Sequence, residues 1–284
     1  MSDIGKIVIT KASGETSIFS EEKLRNSLTR AGADDSQIDH ILKIVSEKLT
    51  PGISTKKIYH IAFNELKRSS RFVAGRYHLK RAIMELEPSG YPFEKYIGEL
   101  LKCQGFNVAV GQFMKGRCVT HEIDVIATAD HHYFMIECKY HNLPGVISDV
   151  KIPLYIQSRF KDIEEVWLKT PGHENALHQG WVVTNTKFSS DAIKYGMCVG
   201  LKLWSWDYPE QEGLRNVIDR FGLYPITCLT TLTRFEKQKL LEKKIVLCRE
   251  ILENPDLLKD VRIKQGKISQ VINESTKMCN TISV

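Results

Sequence analysis

Apolar positions recur at two different periods along the chain, and the changeover divides it. Residues 6–11 form a short alternating run (Lys6-Ile7-Val8-Ile9-Thr10-Lys11), and Thr16-Ser17-Ile18-Phe19 follows after a turn at Gly14. This pattern predicts a β-hairpin. Ser20 is placed to cap a helix over 21–31, where Leu24 and Leu28 lie one turn apart, and Gly32 supplies its stop. A second amphipathic stretch, 36–49, runs through Ile38, Ile41, Leu42 and Val45 and closes at Thr50-Pro51-Gly52. Helices over 55–67 and 70–87 follow, the last ended by Pro88-Ser89-Gly90. The first segment therefore reads as a small hairpin plus a helical bundle.

Beyond Gly90 the period changes. A helix over 92–103 precedes strands at 106–110, 122–128, 133–140, 180–184 and 201–206, with helices over 148–160 and 189–199 among them. That alternation predicts an α/β domain. After Tyr208-Pro209 the chain turns helical again. Thr233 and Glu236 form a capping box that opens a long amphipathic helix through Leu240, Leu241, Ile245, Cys248, Ile251 and Leu252, stopped by Asn254-Pro255. Short helical pieces at 256–260 and 267–273 complete it. The expected division is 1–90, 91–208 and 209–284, with the joint at Pro88-Ser89-Gly90.

Composition narrows the class without changing this picture. The 284 residues are 42% hydrophobic and 26% charged, which suits folded domains and excludes a collagen-like or disordered chain. No apolar run reaches the roughly 18 residues of a membrane span, and the N-terminus reads as no secretion signal. A cytoplasmic protein with no membrane partner is expected. Seven scattered cysteines, an odd number without close pairs, argue against a disulfide framework. The net charge of +6 is carried by the flanks (+4 over 1–90, +3 over 209–284), whereas 91–208 carries −1. A polyanion partner is compatible with that distribution, and so is ordinary solvated surface.

The sharpest chemistry lies in Glu122-Ile123-Asp124-Val125 and, after a predicted turn at 129–132, Glu137-Cys138-Lys139. Residues two apart on a strand share a face, so Glu137 and Lys139 project together, and the hairpin brings Asp124 beside Glu137. Two converging carboxylates with a lysine form part of an oxygen-ligand site for a hard cation such as Mg²⁺. A salt bridge in which Lys139 neutralises one acid is the structural alternative. A second pattern, Cys118-x2-His121 and Cys138-x2-His141, has zinc-like spacing, but Cys138 sits within the proposed strand.

Together with Phe93-Glu94-Lys95-Tyr96-Ile97-Gly98-Glu99-Leu100-Leu101, Gln104-Gly105-Phe106-Asn107-Val108 and Trp181-Val182-Val183-Thr184-Asn185-Thr186-Lys187-Phe188, these motifs resemble the Mrr-type branch of the restriction-endonuclease-like PD-(D/E)xK nucleases over 91–208. The resemblance implies a mixed α/β sheet with flanking helices and Mg²⁺- or Mn²⁺-dependent hydrolysis of DNA phosphodiester bonds. It makes Asp124 and Glu137 metal ligands, with the Cys138 carbonyl as a further one, and Lys139 the residue that positions water or stabilises the transition state. Glu94 matches a first-helix acid that reaches the metal directly or through water, and Gln157 a polar residue that braces the lysine. Glu122 lies further along the strand of Asp124, as an outer contributor. The motif keeps Glu where Gln is common in Mrr-type relatives.

The segment 5–90 has its own resemblance. Val8-Ile9-Thr10-Lys11-Ala12-Ser13-Gly14, Phe19-Ser20-Glu21-Glu22-Lys23-Leu24, Gly52-Ile53-Ser54-Thr55 and Arg76-Tyr77-His78-Leu79-Lys80-Arg81-Ala82-Ile83 look like an ATP-cone, the nucleotide-binding regulatory domain of ribonucleotide reductases. Lys11 and Lys23 match phosphate-contacting lysines, and Thr55 a residue near the base. Ala12 departs from the pattern, which usually has a second basic residue there, and the last-helix basic residue finds no match. Lys237, Lys239, Lys243 and Lys244 alternate with Glu236 and Glu242, as on a solvated helix face. Together these imply a DNA endonuclease, forming a homodimer or higher oligomer, gated by ATP or dATP and serving defence against foreign DNA. A nucleotide-responsive DNA-binding regulator that does not cut is the alternative from another class. Repair or RNA-directed nucleases differ from the main reading only in setting or substrate.

Overall fold

The computed structural model describes residues 7–170 and 178–280, in two compact units. One contains the chain up to Ile83 together with everything from Tyr224 onward, and the other spans Met84–Leu223. Lys6, placed in the opening hairpin by its sequence, lies outside the described residues.

The first unit opens with β1 (Val8–Thr10) and β2 (Thr16–Ile18), paired antiparallel around Gly14, whose φ of +86° suits glycine. Helices α1 (Glu21–Ala31), α2 (Asp35–Lys48), α3 (Thr55–Ser69) and α4 (Arg71–Met84) follow. Ser20 caps α1 by accepting the Lys23 N–H, and Gly32 ends it in the left-handed conformation. Leu24, Leu28, Ile38, Ile41, Val45, Ile58, Ala62 and Leu66, spaced at helical period, converge in one core. Full burial of each large aliphatic stabilises by about 1.5–3 kcal/mol.

Four helices of the tail complete this unit: α9 (Arg234–Glu242), α10 (Cys248–Glu253), α11 (Leu257–Asp260) and α12 (Gln265–Cys279). The predicted long helix is broken between α9 and α10. Lys244 takes φ +62°, the Ile245 N–H closes back on Leu240 O at 3.0 Å, and the β-branched Ile245-Val246 pair leaves the helix. Val246 O then accepts from Ile226 N at 2.9 Å, and Glu250 Oε2 accepts from the Val246 and Leu247 N–H groups at 2.7 and 2.8 Å. Helix α12 outruns the predicted 267–273 because Glu274, a polar interruption in the apolar pattern, is buried with partners. Its carboxylate accepts from Thr230 N, Thr230 Oγ1 and Thr231 N at 2.7–2.9 Å. Arg76 of α4 closes the carboxyl end of α12, its guanidinium donating to the carbonyls of Lys277 (3.2 Å), Met278 (2.9 Å) and Asn280. Through these contacts the last segment folds with the first.

The second unit has the mixed α/β architecture expected. Helix α5 (Tyr91–Lys102) leads into a five-stranded sheet of β3 (Asn107–Lys115), β4 (Thr120–Ala129), β5 (His132–Lys139), β7 (His178–Thr184) and β9 (Lys202–Trp204), in the order β3-β4-β5-β7-β9. The first three are antiparallel neighbours, and β5, β7 and β9 run parallel. A small parallel pair, β6 (Ile147–Ser148) and β8 (Lys187–Phe188), lies outside that sheet. Helices α6 (Lys151–Trp167), α7 (Ser190–Val199) and α8 (Leu214–Phe221) complete the unit. Gly98 of α5 lies so close to Val108 and Val110 that a Cβ there would stand 3.2 Å from both, so α5 packs directly on β3. Ile156, Phe160 and Ile163 of α6 pack with Met135 and Val182 in a second core. Strand β3 runs five residues past the predicted Val110 because Gly111, at φ +64°, carries it through a bend instead of ending it.

Candidate active site at the fork between two strands

Strands β4 and β5 pair from Ala129↔His132 to Val125↔Ile136, joined by Asp130 and His131 at φ 48° and 62°, the tight two-residue turn of a hairpin. Asp124 and Glu137 are the next residues, where the ladder ends. Past this point β4 stays paired with β3 as far as Lys115↔Thr120, while β5 continues beside β7 to Lys139↔Thr184. The strands fork at the two acids. Asp124 Oδ2 accepts the Cys138 N–H at 2.7 Å and ties the fork together.

Glu137 is ion-paired: Arg159 Nη1 of α6 stands 2.6 Å from Glu137 Oε2, with only 13% and 12% of the two side chains exposed. The other guanidinium nitrogen donates to the Glu122 carbonyl. Lys139, two residues beyond Glu137, places a second positive charge near both acids. The end of β5 is held by buried residues of the Val-Thr-Asn run. Thr184 Oγ1 donates to Lys139 O at 2.8 Å, and the Asn185 amide exchanges two hydrogen bonds with the His141 main chain at 2.9 and 2.7 Å.

The acids crowd one another. Burial raises Asp124, offset in part by the Cys138 N–H and Arg159, and burial followed by the Asp124 charge raises Glu137 against the pull of Arg159 and Lys139. Glu94, in the first turn of α5, is pushed up to about 7 by burial first and then by the charges of Asp124, Glu122 and Glu137. The sequence-predicted residues Glu94, Asp124, Glu137 and Lys139 thus share one electrostatic site, with Glu122 at its edge. Cys138 has a buried side chain, so it offers the site only its main chain.

Gln157 is placed elsewhere. It lines a cavity with Met135, Phe160, Gly180 and Leu201 and, among the described residues, makes no hydrogen bond to Lys139. Arg159, two positions on, is the α6 residue that reaches the acids. Nothing in a lone arginine of a predicted helix marks it; only the packing of α6 against the sheet brings it to Glu137. The zinc-like pattern is dispersed. His121 Nε2 pairs with Asp162 Oδ2 at 2.8 Å, His141 Nε2 lies 3.1 Å from Ser148 Oγ, and no three His, Cys, Asp or Glu side chains group for a metal among the described residues.

The donor set fits a hard divalent cation. Asp124, Glu137 and the Cys138 carbonyl would offer oxygen donors, and Mg²⁺ typically takes one or two protein carboxylates with water and phosphate completing its shell. Mutual repulsion of the acids, answered here by Arg159, marks a place where positive charge is favoured.

In the other unit, Thr10↔Ser54 is a parallel bridge and Thr10 N donates to Ile53 O at 3.1 Å, so Lys11 and Thr55 directly follow paired neighbours. Lys11 Nζ lies 3.2 Å from Glu15 Oε2, and Lys23 is in the first turn of α1. One turn beyond Thr55, the Tyr59 ring carries the Arg81 guanidinium 3.7 Å from its centroid and stacks on Tyr77 at 5.3 Å. Arg81 lies on α4, the helix on which the sequence resemblance leaves the basic residue unmatched.

A forked antiparallel hairpin with opposed acids and a neighbouring lysine, on a mixed sheet between helices, defines a restriction-endonuclease-like protein. Residues 86–207 match the restriction endonuclease family, 7–84 the ATP cone domain family, and 224–279 the AF1548-like C-terminal family. An uncharacterized protein of Archaeoglobus fulgidus is 37% identical over 186 residues, 64% of this chain and 99% of the relative. The crystal structure of a protein of unknown function, AF1548, aligns with a TM-score of 0.56 at 35% identity, over 67% of this chain and 98% of that one. The chain belongs to the family of this archaeal protein, and it joins a restriction endonuclease domain to an ATP cone. That pairing supports a nuclease with nucleotide regulation. No helix of the described residues is long and apolar enough to cross a membrane.

Proposed function

We propose that the chain is a divalent-cation-dependent endonuclease that hydrolyses phosphodiester bonds of DNA, with ATP or dATP in the cone controlling cleavage. The observation that carries this reading is the opposition of Asp124 and Glu137 where β4 and β5 part, with Lys139 two residues on. Mg²⁺ or Mn²⁺ held by Asp124, Glu137 and the Cys138 carbonyl would supply Lewis-acid charge and a more acidic bound water. Lys139 sets positive charge where the transition state gathers negative charge. Arg159 balances Glu137 and presents further donors to a phosphate from the same wall. Glu94, with its carboxyl near neutrality, is suited to take a proton from water at the site.

Lys11, Lys23 and Thr55 are the nucleotide contacts in this reading, joined by Arg81 beside Tyr59. Cutting both strands of a duplex calls for two sites, so a homodimer or higher oligomer is the working form, and defence against foreign DNA its setting. One observation favours a second reading, a DNA-binding regulator that does not cut: the Glu137–Arg159 pair already neutralises one acid. Nicking of supercoiled plasmid with Mg²⁺ or EDTA, each with and without ATP or dATP, separates them. Cation-dependent nicking altered by nucleotide supports the nuclease, whereas DNA binding without nicking under every condition supports the regulator.

A further inference from the structure

Phe113 and Tyr155 expose 72% and 62% of their surface. A single exposed ring is ordinary, but each of these two adjoins a residue tied to the acid site, Phe113 through Glu122 and Tyr155 through Arg159. Phe113 is the cross-strand partner of Glu122, whose carbonyl receives the Arg159 guanidinium and whose charge acts on Asp124 and Glu94. Tyr155 lies one turn before Arg159 on α6, with the guanidinium 5.6 Å from its ring centroid. Each ring also has an exposed cation beside it on its own element. Lys115 follows Phe113 by two residues on the strand, and Lys151 precedes Tyr155 by one helical turn.

Rings interleaved with cations fit one kind of nucleic acid better than another. A paired duplex offers a protein its phosphates, sugars and base edges, while its base faces are stacked on one another. An unpaired strand offers base faces to rings and phosphates to cations in alternation. The same patch on a second copy of the chain would set lysine and arginine against lysine and arginine.

We propose that the site accepts DNA whose nucleotides on either side of the scissile phosphate are unpaired. One base stacks on Phe113, another on Tyr155, and the intervening backbone meets Lys115, Lys151 and Arg159. This inference rests on the nuclease reading and specifies its substrate.

The test is binding by the full-length protein in EDTA, which prevents cutting, to fluorescein-labelled 30-mers that are single-stranded, fully paired, or paired around a central unpaired bubble. Wild type, Phe113→Ala and Tyr155→Ala are compared by anisotropy, with thermal unfolding to confirm folding and sedimentation to give the mass. Expected is a preference of roughly tenfold or more for the single strand and the bubble, most of it lost in either variant while duplex affinity is unchanged. Equal affinity for all three DNAs, or equal weakening on all three in the variants, overturns the substrate assignment and leaves the nuclease reading standing. A change of mass in the variants without a change of preference makes the rings a self-association surface and also overturns it. Failure of the wild type to bind any of the DNAs overturns the nuclease reading itself.

Discussion

Arg159 and Glu137 form a 2.6 Å ion pair between α6 and β5, and the same guanidinium holds the main chain of Glu122 on β4. One side chain therefore spans both arms of the fork and balances one of its acids. Removing either partner of a largely buried pair leaves the other charge unanswered, which typically costs about 3–5 kcal/mol. Arg159→Met is expected to destabilise the metal-free protein by somewhat less, about 2–4 kcal/mol, because the pair is not fully sealed. Denaturant unfolding in EDTA measures this. Mg²⁺ should restore more stability to the variant than it adds to the wild type.

Glu94 gives the site a pH signature. Its carboxyl is raised from 4.5 to about 7, so between these values the folded state holds a proton that the unfolded state has released. Its contribution to stability therefore falls as pH rises from about 4.5 to about 7 and is level above that. Glu94→Gln removes this dependence. The variant's melting temperature in EDTA should gain on the wild type across that window, and a constant difference from pH 4 to pH 8 would contradict the assignment.

In the cone, Arg81 lies against Tyr59 one turn from Thr55, and Lys11 sits just past the Thr10↔Ser54 bridge. Charge-assisted contacts to phosphate or base are worth about 1.5–3 kcal/mol, so Lys11→Ala and Arg81→Ala should each weaken ATP or dATP binding by about ten- to a hundredfold. Calorimetric titration checks this. Ser13→Ala, in the same hairpin turn, is the control and should leave affinity nearly unchanged.

Arg76 binds α4 to the carboxyl end of α12 through three carbonyls. Arg76→Met keeps much of the side-chain volume but leaves those carbonyls without their donor, and should cost about 2–3 kcal/mol. Hydrogen exchange should show the loss concentrated in α12. A uniform loss across α1 and α2 as well would mean that the cone and the tail unfold as one.

These sites differ in how far the sequence foretells them. The β4–β5 hairpin is legible because Glu137 and Lys139 alternate with apolar Ile136 and Cys138 around a turn that Asp130 and His131 tolerate, so strand period and turn chemistry agree. Ser20, Gly32 and the Thr233 capping box are legible for a similar reason, since each is a local hydrogen-bonding solution. Arg159 is not, because its role depends on α6 crossing over β5, a contact between residues 22 apart in sequence. Gln157, chosen two positions away, points into the cavity beside Met135, a displacement of about 200° around a helix. The break between α9 and α10 is hidden because Leu240, Leu241, Ile245 and Cys248 keep helical spacing, while the extended segment is held by the distant Tyr224 and Ile226 main chain. Glu274 and Arg76 look like surface charges until their partners, 43 to 204 positions away, are in place.

The most direct test is nicking of supercoiled plasmid by the wild type, Glu137→Gln and Lys139→Met, side by side in Mg²⁺ and in EDTA. Nicking is expected from the wild type in Mg²⁺ alone, with a rate lower by about a hundred- to a thousandfold in Lys139→Met and a comparable or greater loss in Glu137→Gln. Nicking that persists in EDTA, or that Glu137→Gln retains at the wild-type rate, would contradict the assignment of the forked acids as the catalytic centre.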